Sequence, residues 1–312
     1  MSALLWLTWR QHRWVVSGTA IIAFLAAWAL VSAEGDNLGN AAMPMNGFYG
    51  LMVQLAFGGV IGMFWGAPLI ARELEERTYF VAWGQDVTPA KWLRGKAIVL
   101  GVLAAVLGAV VGLGDGHVGS RQTWSGFEAD PAVQAGYAIF GLALGVFIGL
   151  LTRHVVTAIA ATLVFFTLSR VLMSAIVRDH YLPVSRVVSR WDGTPEVPLG
   201  ALELGGGFVD RDLDPVAIPD ACARYGNPNS CMRTSGTAVG TYVDYQPIER
   251  ITAFRFIEFG VYLLLAGVLF ALTFRLLRRG GGWKPSRSHR RITSDVPEVQ
   301  STPAVAAAQA EG

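Results

Sequence analysis

The sequence predicts an all-α polytopic membrane protein with six transmembrane helices and an extracytoplasmic domain between helices 5 and 6. Three observations lead to this class. The chain of 312 residues is 53% hydrophobic and 15% charged, with a mean hydropathy of +0.43, which lies outside the range of soluble proteins. It contains six apolar stretches long enough to cross a bilayer. Its Lys and Arg residues are concentrated in alternate connections between these stretches.

Each predicted span provides about 20 mostly apolar residues, the length that a helix needs to cross the hydrocarbon core. The six spans run over residues 14–33, 49–71, 97–114, 132–151, 155–177 and 256–274. The third is the shortest, and glycines weaken its outer end. The first could instead be a cleaved signal peptide, because small residues end it, although its apolar stretch is long for that role.

The short connections predict the orientation, because cytoplasmic connections carry the excess of Lys and Arg. The connections 34–48 and 115–131 together contain a single Lys or Arg residue, Arg121. The positive residues lie before span one, between spans two and three, between spans four and five, and after span six: Arg10, Arg13, Arg72, Arg77, Lys91, Arg94, Lys96, Arg153, Arg275, Arg278, Arg279, Lys284, Arg287, Arg290 and Arg291. Both termini are therefore expected in the cytoplasm.

This plan divides the chain into five parts. Apolar residues beside Arg10 and Arg13, among them Trp6 and Trp9, favour an interfacial helix before the first span. The composition after span six is typical of a disordered tail, whose arginines are expected to contact anionic lipid headgroups. The parts are a cytoplasmic interfacial helix (1–13), spans one to five with a cytoplasmic loop at 72–96 (14–177), the extracytoplasmic domain (178–255), span six (256–274) and the cytoplasmic tail (275–312).

The long segment 178–255 is rich in Gly, Pro and Asp and contains no lysine. Its lack of a helical period predicts a small cap of short strands and loops. On the outer side of the membrane the environment is oxidising, so Cys222 and Cys231 are expected to form a disulfide worth roughly 2 to 3 kcal/mol. Two free cysteines are the alternative.

Small residues recur at helical spacing in three spans, where they let helix backbones approach closely. They are Gly58, Gly62 and Gly66 in the second span, Gly108 and Gly112 in the third, and Gly141, Gly145 and Gly149 in the fourth. Tight packing within the bundle is favoured over a role in subunit dimerisation.

Two ionisable residues lie within predicted spans, Arg170 in the fifth and Glu258 near the start of the sixth. They could pair with each other, or Arg170 could instead reach the lipid headgroups. The interiors of the first four spans contain no Asp, Glu, Lys or Arg. A secondary transporter is disfavoured, because it would need ion ligands at membrane depth.

Enzymatic and nucleic-acid-binding functions have little support. The sequence contains no Walker A, GxSxG or HExxH motif, so the chain is expected to have no ATPase site and no cofactor of its own. Two cysteines are too few for a structural zinc site, and the five histidines are scattered, which predicts no metal site. A net charge of +2 is too small to indicate nucleic acid as a partner.

The connection between spans two and three carries the most specific motif. It reads Pro-Leu-Ile-Ala-Arg-Glu-Leu-Glu over residues 68–75, followed by Thr78, Ala-Trp at 82–83, Trp-Leu at 92–93 and Lys96. A second motif runs from Tyr-Gln-Pro at 245–247 to Phe-Ile-Glu at 256–258. Both resemble the actinobacterial branch of ABC-2 type permeases. Gly84 and Asp86 depart from the usual Thr and Ser.

The resemblance implies the membrane-spanning permease subunit of an ATP-driven ABC exporter in the bacterial inner membrane. Such a subunit pairs with a second permease copy or a homologous permease, and it docks a separate ATPase that hydrolyses Mg-ATP. The residues carried over to this ATPase contact are Trp6, Trp9, Arg10, Arg13, Arg72, Glu73, Glu75, Glu76, Arg77 and Thr78.

The leading hypothesis is export of an amphipathic or hydrophobic compound by a permease that forms the translocation pathway. The alternative is a non-transporting membrane sensor or assembly module, whose outer domain binds a ligand and whose cytoplasmic loop relays the signal. A neighbouring ATPase would favour export, whereas a neighbouring kinase or regulator would favour the sensor.

Overall fold

The computed structural model of the protein describes residues 10, 13–14, 16–25, 27–28, 45–76, 89–113, 123–124, 126–191, 195–224 and 227–279, with side chains from residue 52 in the second helix. The described residues form a bundle of long apolar helices and one small antiparallel sheet. The helices are α1 (Val16–Leu25), α2 (Met45–Ile61), α3 (Ala67–Glu75), α4 (Pro89–Leu113), α5 (Pro131–Thr152), α6 (Val155–Leu172), α7 (Asp220–Ala223), α8 (Pro228–Thr234) and α9 (Ile251–Arg278). The strands are β1 (Ser185–Arg190), β2 (Leu202–Val209), β3 (Pro215–Val216) and β4 (Gly240–Gln246).

Wide turns interrupt two of the long helices. A π-helical turn, Gly62–Gly66, joins α2 to α3, and Pro68 lies in the first turn of α3. Proline has no N–H and its ring clashes with the carbonyl one turn earlier, which accounts for a wide turn at this place. A second π-helical turn, Met173–Val177, and a 3-10 turn, Arg178–His180, extend α6.

Five segments of the described chain are long and apolar enough to cross a membrane: Met52–Glu75, Pro89–Leu113, Pro131–Thr152, Val155–His180 and Ile248–Arg278. They correspond to the second to sixth predicted spans. Of the first predicted span, 14–33, the structure describes the short apolar helix α1 and a few flanking residues. The first predicted span, and with it the count of six transmembrane helices, therefore stays a prediction.

The predicted loop 72–96 is helical at both of its described ends. Residues 72–75 belong to α3 and residues 89–96 to α4, whereas residues 77–88 lie outside the described part. Pro89 is well suited to the first position of a helix, since its missing N–H is not needed there. Trp92, Leu93 and Lys96 are then buried on one face. The helix that contains the third predicted span, 97–114, therefore begins eight residues before that span, at 89.

Helix α5 is the centre of the bundle. A Cβ atom built on Gly141 would approach the carbonyl oxygen of Gly58 to 1.9 Å, and one on Gly145 would approach that of Gly62 to 2.1 Å. Gly108 packs against the backbone of Gln134 in the same way, at 2.6 Å. Because only glycine fits such contacts, the glycine faces serve packing within the bundle, as predicted.

The predicted all-α class is wrong for the segment after α6, where the four strands form a sheet in the order β1-β4-β2-β3. The short strands predicted for this segment are present. All described neighbours in the sheet pair in the antiparallel direction. Gly207 in β2 leaves room for the ring of Tyr242, which a Cβ atom would approach to 2.8 Å. We call residues 183–247 the sheet domain.

The sheet domain has its own small core, which contains Phe208, Cys222, Met232 and Ala238. Cys222 in α7 and Cys231 in α8 form a disulfide, with their Cα atoms 5.4 Å apart. The bond joins two short helices that have few other means of holding together, since a domain of this size buries little apolar surface. The side of the membrane on which the domain lies stays a prediction.

The two ends of the bundle differ in what they carry. The sheet domain follows α6 and precedes α9, and we call the end of the bundle beside it the sheet end. The opposite end, where α3 ends, α4 begins and α9 ends, is called the loop end. This assignment follows from the chain order, because successive long helices run in alternate directions.

Candidate functional site: a buried charge cluster and a charged loop end

Four charged side chains meet at the sheet end, and we call Glu128, Arg170, Arg178 and Glu258 the charge cluster. Arg170 lies in α6, Arg178 in its 3-10 extension, and Glu258 in the third turn of α9. Glu128 lies in a 3-10 turn, Phe127–Ala129, just before α5. Each cluster residue thus comes from an element that meets the others at this end.

The turn that carries Glu128 is held in place from both sides. The Asp130 carboxylate caps α5 by accepting hydrogen bonds from the amides of Ala132 and Val133, at 2.9 and 3.2 Å. Such an N-terminal cap satisfies backbone N–H groups that have no partner within the helix. Arg255 in α9 donates a hydrogen bond to the Gly126 carbonyl at 2.8 Å. The position of Glu128 is therefore fixed by α5 and α9 together.

The π-helical turn in α6 decides where Arg178 points. In a regular α-helix, residues eight positions apart lie about 80° apart around the axis. The wide turn Met173–Val177 between Arg170 and Arg178 reduces the rotation per residue, so the second arginine comes round toward the face of the first. Both guanidinium groups consequently reach the same two carboxylates.

Each guanidinium of the charge cluster contacts both carboxylates. Arg170 hydrogen-bonds Glu128 through Nη2 and lies 3.4 Å from Glu258 Oε1 through Nη1. Arg178 contacts Glu128 at 3.1 Å and Glu258 at 2.9 Å through both Nε and Nη2. Two positive and two negative charges therefore balance within the cluster.

Aromatic side chains enclose the charge cluster. The Tyr137 hydroxyl donates a hydrogen bond to Glu258, and the Arg170 guanidinium lies over the Tyr137 ring at 3.6 Å from its centroid. Arg178 lies 4.2 Å from the centroid of the Phe127 ring. Such cation–π contacts are stronger when water is excluded.

Tyr181 closes the cluster where the chain leaves α6. Its hydroxyl lies 3.4 Å from Glu258 Oε2. Burial, and to a smaller extent the negative charge of Glu258, raise the pKa of Tyr181 above its ordinary value. The hydroxyl therefore keeps its proton and can donate a hydrogen bond to Glu258.

The charge cluster is sufficiently shielded from water for its ion pairs to affect the stability of the fold. Glu258 is fully buried and Arg170 is 8% exposed, and removing one partner of a buried ion pair leaves an uncompensated charge. The cluster ties the start of α5, the end of α6 and the start of α9 into one unit. Its chemistry is that of a structural clamp, since every carboxylate faces a guanidinium.

The predicted pair of Arg170 and Glu258 does make contact, but Glu128 and Arg178 form the shorter ion pairs. Sequence reasoning missed both. On the predicted topology, Arg178 begins the outer domain just past span five, and Glu128 lies in a short outer connection. The available signal was the position of each, within a few residues of a span end at the same side as Arg170 and Glu258.

The loop end carries exposed charges that link two helices. Glu75, at the end of α3, accepts a hydrogen bond from the Val155 amide at 2.8 Å, and its other oxygen lies 3.9 Å from His154 Nδ1. Val155 is the first residue of α6. Arg72 pairs with Glu76 on the same helix at 2.8 Å. The end of α3 is thus attached to the start of α6.

The residues predicted to contact an ATPase are only partly described. Arg10, Arg13, Arg72, Glu75 and Glu76 are exposed, whereas Glu73 is half-buried. Trp6, Trp9, Arg77 and Thr78 lie outside the described residues. The ATPase-contact role of the whole set stays a prediction.

The N-terminal helix packs against the helix that leads to this set. The Trp65 indole donates a hydrogen bond to the Thr19 hydroxyl at 3.0 Å. Val16 and Ala23 of α1 share a buried cluster with Ile61, Trp65 and Leu69. A shift of α1 is therefore felt by α2 and α3. In the described part of the chain, no group of three or more His, Cys, Asp or Glu side chains is placed to hold a metal ion.

Comparison with known proteins agrees with the resemblance carried by the sequence motifs. Neither the curated proteins nor the solved structures include a significant match to the chain. Residues 36–178, just under half of the chain, match the model of the family described as "ABC-2 membrane transporter related". The match contains the motif that begins at Pro68 and ends before the second motif at 245–258. Residues 36–178 are therefore similar to the ABC-2 membrane transporter related family, a similarity that suggests a permease-like membrane component.

Proposed function

We propose that the protein is the membrane-spanning permease subunit of an ATP-driven ABC exporter in the bacterial plasma membrane, of the actinobacterial type. It forms the translocation pathway and couples to a separate ATPase subunit, which binds and hydrolyses Mg-ATP. Both termini and the loop end lie in the cytoplasm, and the sheet domain lies outside. A second permease copy, or a homologous permease, completes the pathway.

The observation that carries this proposal is the attachment of Glu75 to the first amide of α6. A partner that moves the end of α3 should also move α6. The hydrogen bond joins α3 to α6 directly, and close glycine contacts pack α2 and α3 tightly against α5. Rigid-body shifts of this kind are how a binding event at one site reaches a distant part of a protein. The family match supports the same function.

The open faces of α6 and α9 support the second permease and the lipid contacts. Only 22% of the apolar window of each helix is buried within the chain. Large apolar side chains such as Phe165 and Leu264 are more than half exposed. In a membrane these faces meet lipid or another apolar helix surface.

The alternative function, a ligand-sensing outer domain, has weaker support. The sheet domain carries a cavity of about 380 Å³, lined in its described part by uncharged residues that include Phe208, Asn229 and Tyr242. No feature of the described residues links this cavity to the loop end. The permease function therefore accounts for more of the structure.

The test is co-expression with an ATPase encoded next to this chain, followed by purification in mild detergent and an ATPase assay. The expected result is a stoichiometric ATPase that is lost when Glu73, Glu75 and Glu76 are all changed to Lys. A chain that elutes alone in every preparation, or a charge-reversed variant that retains the ATPase, would contradict the proposed contact.

A finer pair of variants separates docking from transmission. Glu75→Gln weakens the link to α6, whereas Glu76→Gln affects only the pair with Arg72 on the same helix. Both variants should retain the ATPase. Only Glu75→Gln should reduce the stimulation of ATP hydrolysis by the permease, and equal effects of the two variants would contradict a transmitting role for Glu75.

A further inference from the structure

A cavity of about 1080 Å³ lies at the loop end, between the first turns of α4 and the last turns of α9. It is distinct from the charge cluster, which lies at the opposite end of the bundle. The described residues that line it are Pro89, Ala90, Lys91, Arg94, Ala271, Phe274, Arg275, Leu277, Arg278 and Arg279.

The charges around this cavity have one sign. Its described lining contains five cationic side chains and no carboxylate. Lys91 and Arg94 are about one turn apart on α4, and so are Arg275 and Arg278 on α9, so each pair occupies one helix face. All four side chains are exposed. Like charges gathered around one space repel, and an anion within that space would relieve the repulsion.

The wall of the cavity also contains apolar residues. On α9 they are Ala271, Phe274 and Leu277, and on α4 they are Pro89 and Ala90 of its first turn. Along α9 the lining therefore changes from apolar at Ala271 and Phe274 to mostly cationic at the helix end. An anion alone would use only the cationic part, whereas an amphiphile with an anionic head would use both.

We propose that this cavity binds one anionic phospholipid, with the phosphate-bearing headgroup among Lys91, Arg94, Arg275 and Arg278 and an acyl chain along Phe274 and Leu277. Basic pockets between transmembrane helices suit such headgroups, and each cation near an anionic headgroup adds to the affinity. The site goes beyond the proposed function. It requires neither an ATPase nor a particular direction of transport.

The first experiment uses the full-length protein in a neutral detergent. After extensive washing, native mass spectrometry measures which lipids remain bound, and titrations with phosphatidylglycerol, phosphatidylcholine and inorganic phosphate measure apparent affinities. We expect about one phosphatidylglycerol per chain to be retained, and phosphatidylcholine to bind at least tenfold more weakly. Equal binding of the two lipids would overturn the proposal.

Inorganic phosphate separates a lipid from a soluble anion. If it displaces phosphatidylglycerol at similar concentrations, the cavity is a soluble-phosphate site and the proposal is wrong. If it displaces the lipid only at far higher concentrations, the apolar wall contributes to binding as proposed.

The variants Arg94→Gln and Arg278→Gln place the site in this cavity. Each should weaken phosphatidylglycerol binding about fivefold, and together about 25-fold. The matched control neutralises two exposed arginines of the sheet domain, Arg224→Gln with Arg233→Gln, which changes the net charge equally. Loss of binding in the control, or full binding in the double variant of the cavity, would overturn the proposal.

Folding is checked by the thermal midpoint of each variant in detergent without added lipid. If the double variant does not fold, the proposal is tested by phosphatidylglycerol binding to the single variants and by the effect of salt on binding to the wild-type protein. Headgroup binding by cations must weaken as ionic strength rises, so affinity for phosphatidylglycerol that is independent of salt would contradict the proposed site.

Discussion

The two ends of the helix bundle both carry charged side chains, but they differ in how far these charges are buried and balanced. At the sheet end, two guanidinium groups and two carboxylates meet and neutralise one another, with Arg170 and Glu258 buried and Glu128 and Arg178 half-buried. At the loop end, the charges around the cavity between α4 and α9 are exposed and all positive. In the first arrangement the described charges balance, whereas the described lining of the second contains cations and no carboxylate.

This difference indicates which end is fixed and which end is open to partners. Removing any one member of a largely buried, balanced network strongly destabilises the fold, because the charge that remains has little solvent to stabilise it. Exposed charges of one sign contribute little to stability and respond to salt, lipids and proteins. The sheet end therefore serves the fold, and the loop end is available for interactions.

The largest effect is expected at the sheet end. Glu258→Gln leaves two guanidinium groups, one buried and one half-buried, facing a single carboxylate, and it should lower the free energy of unfolding by about 3 to 5 kcal/mol. Unfolding in mixed detergent micelles measures this change. The control is Glu249→Gln, an exposed carboxylate near the start of α9, which should change stability by less than about 0.5 kcal/mol.

A double variant sharpens this prediction. Glu258→Gln combined with Arg170→Gln restores the charge balance of the cluster, so its cost should be smaller than the sum of the two single costs. Additive costs would show that Arg170 and Glu258 do not act as one network, and the clamp would be refuted.

The next effect tests whether the sheet end and the loop end are held by one rigid bundle. Gly141→Ala would place a Cβ atom 1.9 Å from the Gly58 carbonyl oxygen, and α5 can relieve this contact only by moving away. We expect a loss of about 3 kcal/mol in the same unfolding assay, at the upper end for overpacked cores.

The matched control is Gly260→Ala, because a Cβ atom on Gly260 in α9 meets no atom within 4 Å. This variant should be neutral or slightly stabilising, since alanine favours a helix more than glycine does. If the two alanine variants had equal stability, the close contact between α2 and α5 would be contradicted.

The disulfide tests whether the sheet domain is stable apart from the charge cluster. Changing Cys222 and Cys231 together to Ala should cost about 2 kcal/mol, because the closed loop is short. Limited proteolysis of the full chain should show faster cleavage within 215–240. Far-UV circular dichroism should show that the long helices are retained. Loss of the helices as well would mean that the two regions unfold together.

The smallest effect concerns an exposed ion pair of the sheet, where Arg186 on β1 faces Asp244 on β4 at 2.7 Å. The hydrogen bond from Arg186 lowers the pKa of the Asp244 carboxyl. The pair therefore stabilises the domain above the ordinary pKa of an aspartate, and this contribution is lost as the pH falls through the lowered pKa. Its worth should be below about 1 kcal/mol, as for other exposed pairs.

Carboxyl NMR of the full chain in detergent measures this titration. Arg186→Gln should return the Asp244 pKa toward its ordinary value, whereas Arg224→Gln, on an exposed arginine elsewhere in the same domain, should leave it unchanged. An Asp244 titration that does not respond to Arg186→Gln would show that the pair has no energetic role in solution.

The segments that form the spans could be predicted from the sequence, because a long apolar run in lipid has few alternatives to a helix. The second to sixth predicted spans all appear among the described helices, and the glycine faces pack as expected. Helix ends were less predictable. Pro89 starts α4 well before the apolar run, since a helix can extend past the hydrocarbon core where its polar residues are solvated, as Lys91 and Arg94 are, or packed against the bundle, as Lys96 is.

By itself, the sequence determined that this is a polytopic membrane chain, and it pointed to the family through the motif at 68–96. The composition of the charge cluster was decided only by the tertiary structure. Glu128 and Glu258 are 130 residues apart along the chain, and the π-helical turn that aligns Arg178 with Arg170 depends on packing at the end of α6. Hydropathy reports the environment of a segment, whereas the pairing of buried charges depends on which segments meet and at what angle.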